Sequence, residues 1–149
     1  MQKALPAIVI ISHINPLLGE SGQHQRVLNT LKALTGFFNV DFLFGSVSPN
    51  ETKRFFEGMT SRFAGVKSLA ITKPGGLPFR LRSKLYEYLP GYKPSNFQIP
   101  YIFDLESVEA LIDFSTKQVV LFEYWHAYTL AVVLKKKYPH LHIICDTHN

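Results

Sequence analysis

Cysteine is nearly absent from this chain of 149 residues, which contains a single one, Cys145. One cysteine excludes an internal disulfide and a cysteine-rich metal site, and it favours a reducing compartment. Its apolar neighbours predict that it is a small filler residue within a strand. No apolar run approaches the length of a membrane span, and the N-terminal apolar run is not followed by the cleavage site of a signal peptide. We therefore expect a cytoplasmic protein.

Acidic residues are also few: the chain has 11 Asp and Glu and 16 Lys and Arg, which gives a formal net charge of +5. A basic chain suits anionic partners such as phosphates, nucleotides or an acidic membrane surface. Nucleic acid is not expected, because no helix-turn-helix pattern with a basic recognition helix is present. A P-loop and a nucleophile elbow are absent as well.

Short apolar segments alternate with helical patterns along the whole chain. Strands are predicted at residues 7–11, 38–44, 67–72, 119–122 and 142–145, and helices at residues 22–35, 51–63, 77–89, 105–114 and 127–138. This order is typical of an α/β protein with a Rossmann-like doubly wound parallel sheet. Residues 1–149 are predicted to form one domain, and residues 92–100 a functional loop. Because the sequence stops directly after a strand, we expect the natural protein to continue.

The predicted helix at residues 77–89 is amphipathic. Leu77, Leu81 and Leu85 share one face, and the last predicted helix should likewise turn Leu130 and Val133 inward. The remaining positions of the first helix carry a basic cluster, which consists of Arg80, Arg82 and Lys84. Three interpretations stay open: the solvated face of a core helix, a helix lying on anionic lipid, or a site for an anionic acceptor.

The loop after the first strand is a candidate ligand site. Gly19 and Gly22 lie within it, and Ser21 is a candidate N-cap of the next helix. Such a loop presents backbone N–H groups and a helix dipole to an anion. The glycine spacing does not match a dinucleotide fingerprint, so a loop without a ligand is the alternative.

Polar and aromatic residues follow the fourth and fifth strands, where ligands of open α/β sheets bind. Glu123 could accept hydrogen bonds from sugar hydroxyls, Tyr124 or Trp125 could lie against a sugar face, and His126 could donate to a phosphate or hydroxyl. The alternative is simple packing under a helix N-terminus. His13, His126 and His148 come from one sheet edge but lack ligand spacing, so no metal site is expected.

Both ends of the chain resemble family 4 glycosyltransferases. Residues 21–34 and 38–44 resemble the opening of that family, with a Gly-Gly loop, an arginine four residues later, a leucine-rich helix and a second strand. Ser21 replaces the first glycine of the pair. Residues 120–126 and 143–149 resemble later segments, the second being the Asp-x-His-Asp/Asn run.

This resemblance implies half of a GT-B fold, namely the N-terminal, acceptor-side domain. The nucleotide-sugar donor would be bound mainly by a C-terminal domain that this chain lacks, so this domain would need no cofactor and be inactive alone. The acceptor would be a polysaccharide or a lipid-linked sugar. The basic cluster of Arg80, Arg82 and Lys84 separately suggests contact with a membrane or with the acceptor. His126 would be the candidate catalytic residue, and the resemblance and the edge positions together give the substrate-binding residues Ser21, Gly22, Arg26, Glu123, Trp125 and His148.

A second resemblance concerns residues 13–16, His-Ile-Asn-Pro, which are similar to a segment of the inverting family 1 enzymes. There the histidine is the general base, a role that His13 would take here. Ser12 replaces the glycine of that segment, and a further loop precedes the helix. We therefore favour retention. The functional alternative is a non-catalytic Rossmann-like domain that binds a ligand or partner at the same edge.

Overall fold

Five strands and six helices make up the part of the chain that the computed structural model describes, residues 5–19, 21–91 and 95–147. The strands are β1 (Ala7–Ser12), β2 (Asn39–Ser46), β3 (Lys67–Thr72), β4 (Val119–Glu123) and β5 (His142–Asp146). The helices are α1 (Gly22–Leu34), α2 (Pro49–Arg62), α3 (Leu77–Glu87), α4 (Ser95–Ile102), α5 (Leu105–Glu109) and α6 (Tyr128–Lys137), with 3₁₀ turns at Phe114–Thr116 and Trp125–Ala127.

The five strands form one all-parallel sheet in the order β3-β2-β1-β4-β5. This confirms the predicted α/β class and agrees with a Rossmann-like doubly wound sheet. The chain winds outward from β1 to β3 and then crosses back to β4, on the other side of β1. The carboxyl ends of β1 and β4 therefore lie at the topological switch point, where open α/β sheets bind their ligands.

Apolar side chains cover both faces of the sheet. On β1, Ile8 and Ile10 point to one face, while Val9 and Ile11 point to the other. Helices α1 and α2 pack on the first face, and α4, α5 and α6 pack on the second. Burial on both faces explains why the central strands are continuous apolar runs in the sequence.

The start of α1 was predicted correctly. Ser21 is its N-cap, with extended backbone, and its hydroxyl oxygen accepts a hydrogen bond from the His24 amide at 3.5 Å. A serine at this position satisfies one of the amide groups that the first turn of a helix leaves without an intrahelical partner.

The predicted loop at residues 92–100 is wrong from its fourth residue onward, because α4 begins at Ser95. The helix predicted at residues 105–114 ends early at Glu109, and the side chain of Asp113 caps a 3₁₀ turn instead. On α6, Val133 is exposed, since Ala131 takes the inward position. Cys145 does lie in a strand, but it is exposed because β5 is an edge strand.

Helix α3 differs most from the prediction of a core helix. None of its residues is buried. Leu77, Leu81 and Leu85, which we call the leucine face, are 70%, 61% and 60% exposed. No helix in the described residues is long and apolar enough to cross a membrane.

Gly45, near the end of β2, allows a close approach between the sheet and the segment that ends α4. A Cβ atom at this position would overlap the ring of Phe103 and lie 2.6 Å from a methyl carbon of Ile102. Both neighbours are buried. The absence of a side chain at residue 45 therefore lets α4 pack directly on the carboxyl end of the sheet.

Candidate functional site

The candidate site lies where β1 and β4 end side by side. The register pairs Ser12 with Glu123, so the residues that follow each strand emerge next to each other. His13 follows β1, and Tyr124 and His126 follow β4. The fold brings together residues more than 100 positions apart in the sequence. His13 and His126, which the sequence predicts at one sheet edge, have ring centroids 5.7 Å apart.

His13 is half-buried between two rings from the β4 end. Its ring centroid lies 5.4 Å from that of Tyr124 and 5.7 Å from that of His126, both in edge-to-face geometry. Burial, and to a lesser extent the nearby His126, lower the pKa of His13 from 6.5 to about 4. His13 is therefore a neutral imidazole at physiological pH, able to donate one hydrogen bond and accept another.

Glu123 is the most unusual polar group of the site. The residue is 2% exposed, and neither carboxylate oxygen has a hydrogen-bond partner within 3.5 Å among the described residues. Burial raises the pKa of Glu123, and the nearby Asp146 raises it further. The Thr30 hydroxyl and the Arg26 guanidinium act in the opposite direction. A buried carboxylate with no donor within 3.5 Å in the described part of the chain, and with only the Thr30 hydroxyl and the Arg26 guanidinium nearby to favour its charged form, is costly, so it indicates a position where a ligand supplies further donors.

Tyr124 adopts a strained backbone conformation immediately after β4. Its φ of 84° and ψ of 137° make it the one residue other than glycine with positive φ in the described part of the chain. Positive φ is unfavourable for a bulky side chain, and such strain is concentrated at functional sites. Burial raises the pKa of the Tyr124 hydroxyl, with Arg26 opposing this and Glu123 and Asp146 adding to it.

Trp125 and His126 form a stacked pair at the mouth of the site. Their ring centroids are 4.4 Å apart with an angle of 20° between the planes. Trp125 is 44% exposed and His126 is half-buried, so one face of the pair is accessible while the other is anchored. A flat, partly exposed aromatic surface beside polar groups can contact the C–H face of a sugar.

The beginning of α1 lies near the carboxyl end of β4. Ser21, Gly22 and Arg26 are all exposed there. A Cβ atom at Gly22 would have no neighbour within 4 Å, so the protein itself leaves open space at this amide. Arg26 is close enough to Glu123 and Tyr124 to influence the pKa of both.

A small pocket beside His13 was not predicted. Its volume is about 110 Å³, and residues of β2, α2 and α4 line it together with His13. Ser46 donates a short hydrogen bond to Glu51, and the Gln98 side chain comes from α4. One signal for this pocket is visible in the sequence, namely a serine and a glutamate shortly after an apolar strand, but nothing indicates that α4 contributes Gln98.

Asn15 was also missed as a buried polar group. It is almost fully buried, and its Oδ1 accepts a hydrogen bond from the Leu17 amide at 3.0 Å. Its Nδ2 has no hydrogen-bond partner among the residues described. Asn15 thus adds a buried donor group to the segment that follows β1.

Other predicted site residues lie elsewhere. His148 is outside the described residues. The basic cluster lies on α3, a different element from those that form the His13 and Glu123 site. Within the described ranges, no group of three His, Cys, Asp or Glu side chains is arranged to hold a metal ion.

The arrangement was compared with known proteins at the level of family, sequence and structure. No family model, curated protein or solved structure matches this chain. The chemistry of the site itself is thus the basis for a functional interpretation, together with the motifs at the two ends of the chain.

Proposed function

We propose that this chain is the acceptor-side domain of a GT-B glycosyltransferase similar to family 4. It would help to move a sugar from a nucleotide-sugar to a polysaccharide or lipid-linked acceptor, with retention, and would be inactive without a donor-binding domain. The observation that carries the proposal is the buried, unpartnered carboxylate of Glu123 at the switch point of the sheet.

Sugar hydroxyls are suitable partners for this carboxylate. Glu123 offers two acceptor oxygens that have no protein donor within 3.5 Å among the described residues, and a saccharide presents many O–H donors in a rigid ring. Hydrogen bonds to a charged acceptor are about twice as strong as those between neutral groups. The proposed role of Glu123 is therefore to bind two acceptor hydroxyls. Their hydrogen bonds would offset the cost of burying the carboxylate.

The stacked Trp125 and His126 would hold the sugar ring. The exposed face of Trp125 lies at the mouth, and His126 stands between it and His13. We assign His126 to a hydrogen bond with the transferred sugar or its leaving phosphate, and Trp125 to the apolar ring face. Ser21, Gly22 and Arg26 would bind a donor phosphate at the start of α1.

The state of His13 supports retention. An inverting enzyme needs a general base, and a base works best when its pKa is near the working pH. With a pKa of about 4, His13 accepts a proton poorly at neutral pH. We therefore assign His13 to hydrogen bonding with the acceptor and not to its deprotonation.

Thermal-shift measurements on the chain, with a panel of oligosaccharides, lipid-linked sugars and nucleotide-sugars, test this proposal. An acceptor at about 100 times its Kd would add about 2.7 kcal/mol of stability, a rise in Tm of about 5–10 °C for a chain of this size. Glu123→Gln and His126→Ala should abolish that rise, whereas Glu109→Gln on α5 should preserve it.

Sugar transfer by the complete gene product is the second measurement. Transfer from a nucleotide-sugar that is lost in His126→Ala supports the enzyme. The proposal fails if no saccharide stabilises the chain and no donor is consumed. A ligand or protein that binds the edge without any sugar transfer would support the non-catalytic binding domain instead.

A further inference from the structure

Helix α3 has two faces with different environments. Its aromatic face packs on α4: the Phe79 ring lies 5.0 Å from that of Phe97 and 4.8 Å from that of Tyr101. Tyr86 stacks on Phe97 at 5.2 Å, and Gln98 donates a hydrogen bond to the Ser83 hydroxyl at 3.1 Å. The helix is therefore anchored on one side.

The leucine face points away from this anchor into solvent. Its three side chains are each at least 60% exposed, and Tyr88, which follows on the same side, is 83% exposed. Large apolar side chains in a continuous exposed stripe indicate an interaction surface, whereas single exposed ones do not. Because the aromatic face already holds α3 in place, the leucines are not needed to dock the helix on its own domain.

Basic side chains flank the leucine face. Successive helix residues are rotated by about 100°, which places Arg80 and Lys84 on one side of the face and Arg82 on the other. The Arg82 guanidinium lies over the rings of the anchored side, 5.9 Å from the Tyr86 centroid and 5.3 Å from the Phe97 centroid. Neither Arg80 nor Lys84 has an ion-pair partner among the described residues. Glu87 is the single acidic residue of α3, so the helix is basic as a whole. An apolar stripe bordered by cations is the pattern of helices that lie in an anionic membrane interface.

A second copy of the chain fits this surface less well. Two leucine faces in contact would bring both basic clusters together, and like charges at short distance are unfavourable. A cavity of about 580 Å³ also opens between α3 and α4, and it is lined by Pro78, Phe79, Arg82, Phe97, Pro100 and Tyr101. Its apolar lining beside Arg82 suits a lipid chain with an anionic headgroup.

We propose that α3 docks this protein on an anionic membrane, with the leucine face in the headgroup–acyl boundary and the basic cluster on the lipid phosphates. Docking would bring the candidate site to the bilayer, because α4 contacts α3 through Gln98 and lines the His13 pocket with the same residue. A lipid-linked acceptor follows only if the proposed function also holds. Membrane docking does not depend on it.

Co-sedimentation of the chain with phosphatidylcholine vesicles, with and without phosphatidylglycerol, tests the proposal in the absence of any sugar. Binding is expected only with phosphatidylglycerol and should weaken as salt is added. The triple variant R80S/R82S/K84S should lose roughly 100-fold in partition coefficient, since each cation near an anionic surface contributes about fivefold. Leu81→Ser should lose roughly 10-fold.

Matched controls remove the same charge or apolar surface elsewhere. The triple variant K32S/R54S/K67S changes exposed cations outside α3 and should bind as the wild type does beyond the small effect of net charge. Phe37→Ser removes a side chain that is 70% exposed at the end of α1 and should have no effect. Equal losses in control and α3 variants would overturn the proposal.

Tryptophan fluorescence gives a readout that does not depend on sedimentation. In a Trp125→Phe background, Leu85→Trp places the only tryptophan on the leucine face. Its emission should shift to the blue when phosphatidylglycerol vesicles are added. An unchanged spectrum would overturn membrane docking. So would a wild-type protein that does not bind vesicles but forms a concentration-dependent dimer, if that dimer is lost in Leu81→Ser.

Discussion

The carboxyl ends of β1 and β4 and the outer face of α3 show opposite departures from normal burial. At the strand ends, the carboxylate of Glu123 is buried without a hydrogen-bond partner among the described residues. On α3, three leucines are each at least 60% exposed. Folding alone favours neither arrangement, because burial is costly for a charge and favourable for a leucine. Hydroxyl donors would satisfy the carboxylate and an apolar medium would cover the leucines, so the two proposals made above concern two different ligands.

The largest expected effect is the difference in unfolding free energy between truncating a buried leucine and truncating an exposed one. Leu134 on α6 is fully buried, whereas Leu81 is 61% exposed. Leu134→Ala should lower the free energy of unfolding by about 2–5 kcal/mol, and Leu81→Ala should change it by less than about 0.5 kcal/mol. Urea denaturation of the two variants checks this. A cost above about 2 kcal/mol at Leu81 would mean that the leucine face is covered within the chain.

Acid stability provides the next largest effect and concerns the strand ends. Because the pKa of His13 is lowered to about 4, the unfolded chain binds a proton between pH 6.5 and pH 4 that the folded chain does not. Stability is thus fully present above pH 6.5 and falls by about 3 kcal/mol as the pH is lowered to 4.

Denaturation curves across this pH range should be flatter in His13→Gln. His142→Gln, on the exposed edge strand, is the control and should keep the slope of the wild type. Equal slopes in His13→Gln and wild type would contradict the buried, neutral state of His13.

The smallest effect is a gain of stability at the site. The pKa of Glu123 is raised, so the folded chain binds this proton more tightly than the unfolded chain. Its contribution is favourable below pH 4.5 and is lost as the pH rises through the raised pKa. Glu123→Gln removes the charge and should stabilise the chain by about 1 kcal/mol at pH 7.

Glu109→Gln is the matched comparison, because that carboxylate accepts hydrogen bonds from Lys137 and Tyr138. It should be neutral or slightly destabilising. A loss of stability in Glu123→Gln would show that the carboxylate is satisfied within the folded chain, and the contrast with α3 would then disappear.

The sheet was predictable because its strands are buried on both faces. Continuous apolar runs such as 7–11 and 119–122 have few other interpretations, and the short connections between them leave few topologies. The same reasoning placed His13 and His126 at one edge of the sheet, because parallel strands end at one edge. The residues that follow each predicted strand can thus be assigned to one edge of the sheet from the sequence.

The positions of α3, α4 and the Tyr124 backbone could not be predicted, because they depend on packing between segments that are distant in the sequence. Helix α4 contains Pro100 and is apolar on several sides, since it lies between α3 and the turn Trp125–Ala127, so it has no periodicity to detect. The spacing of Leu77, Leu81 and Leu85 defines a face but not what covers it. The strained φ of Tyr124 is enforced by its neighbours and has no signature in a tyrosine.

Gly45 links the two regions through a single absent methyl group. Because a Cβ at that position would overlap the Phe103 ring, a larger residue would require that ring or α4 itself to shift. Helix α3 packs on α4 and would follow a movement of it. If the strand ends bind a sugar and α3 docks on a membrane, as we propose, the separation of these two regions therefore depends on a position inside the sheet, and one substitution at residue 45 would change it.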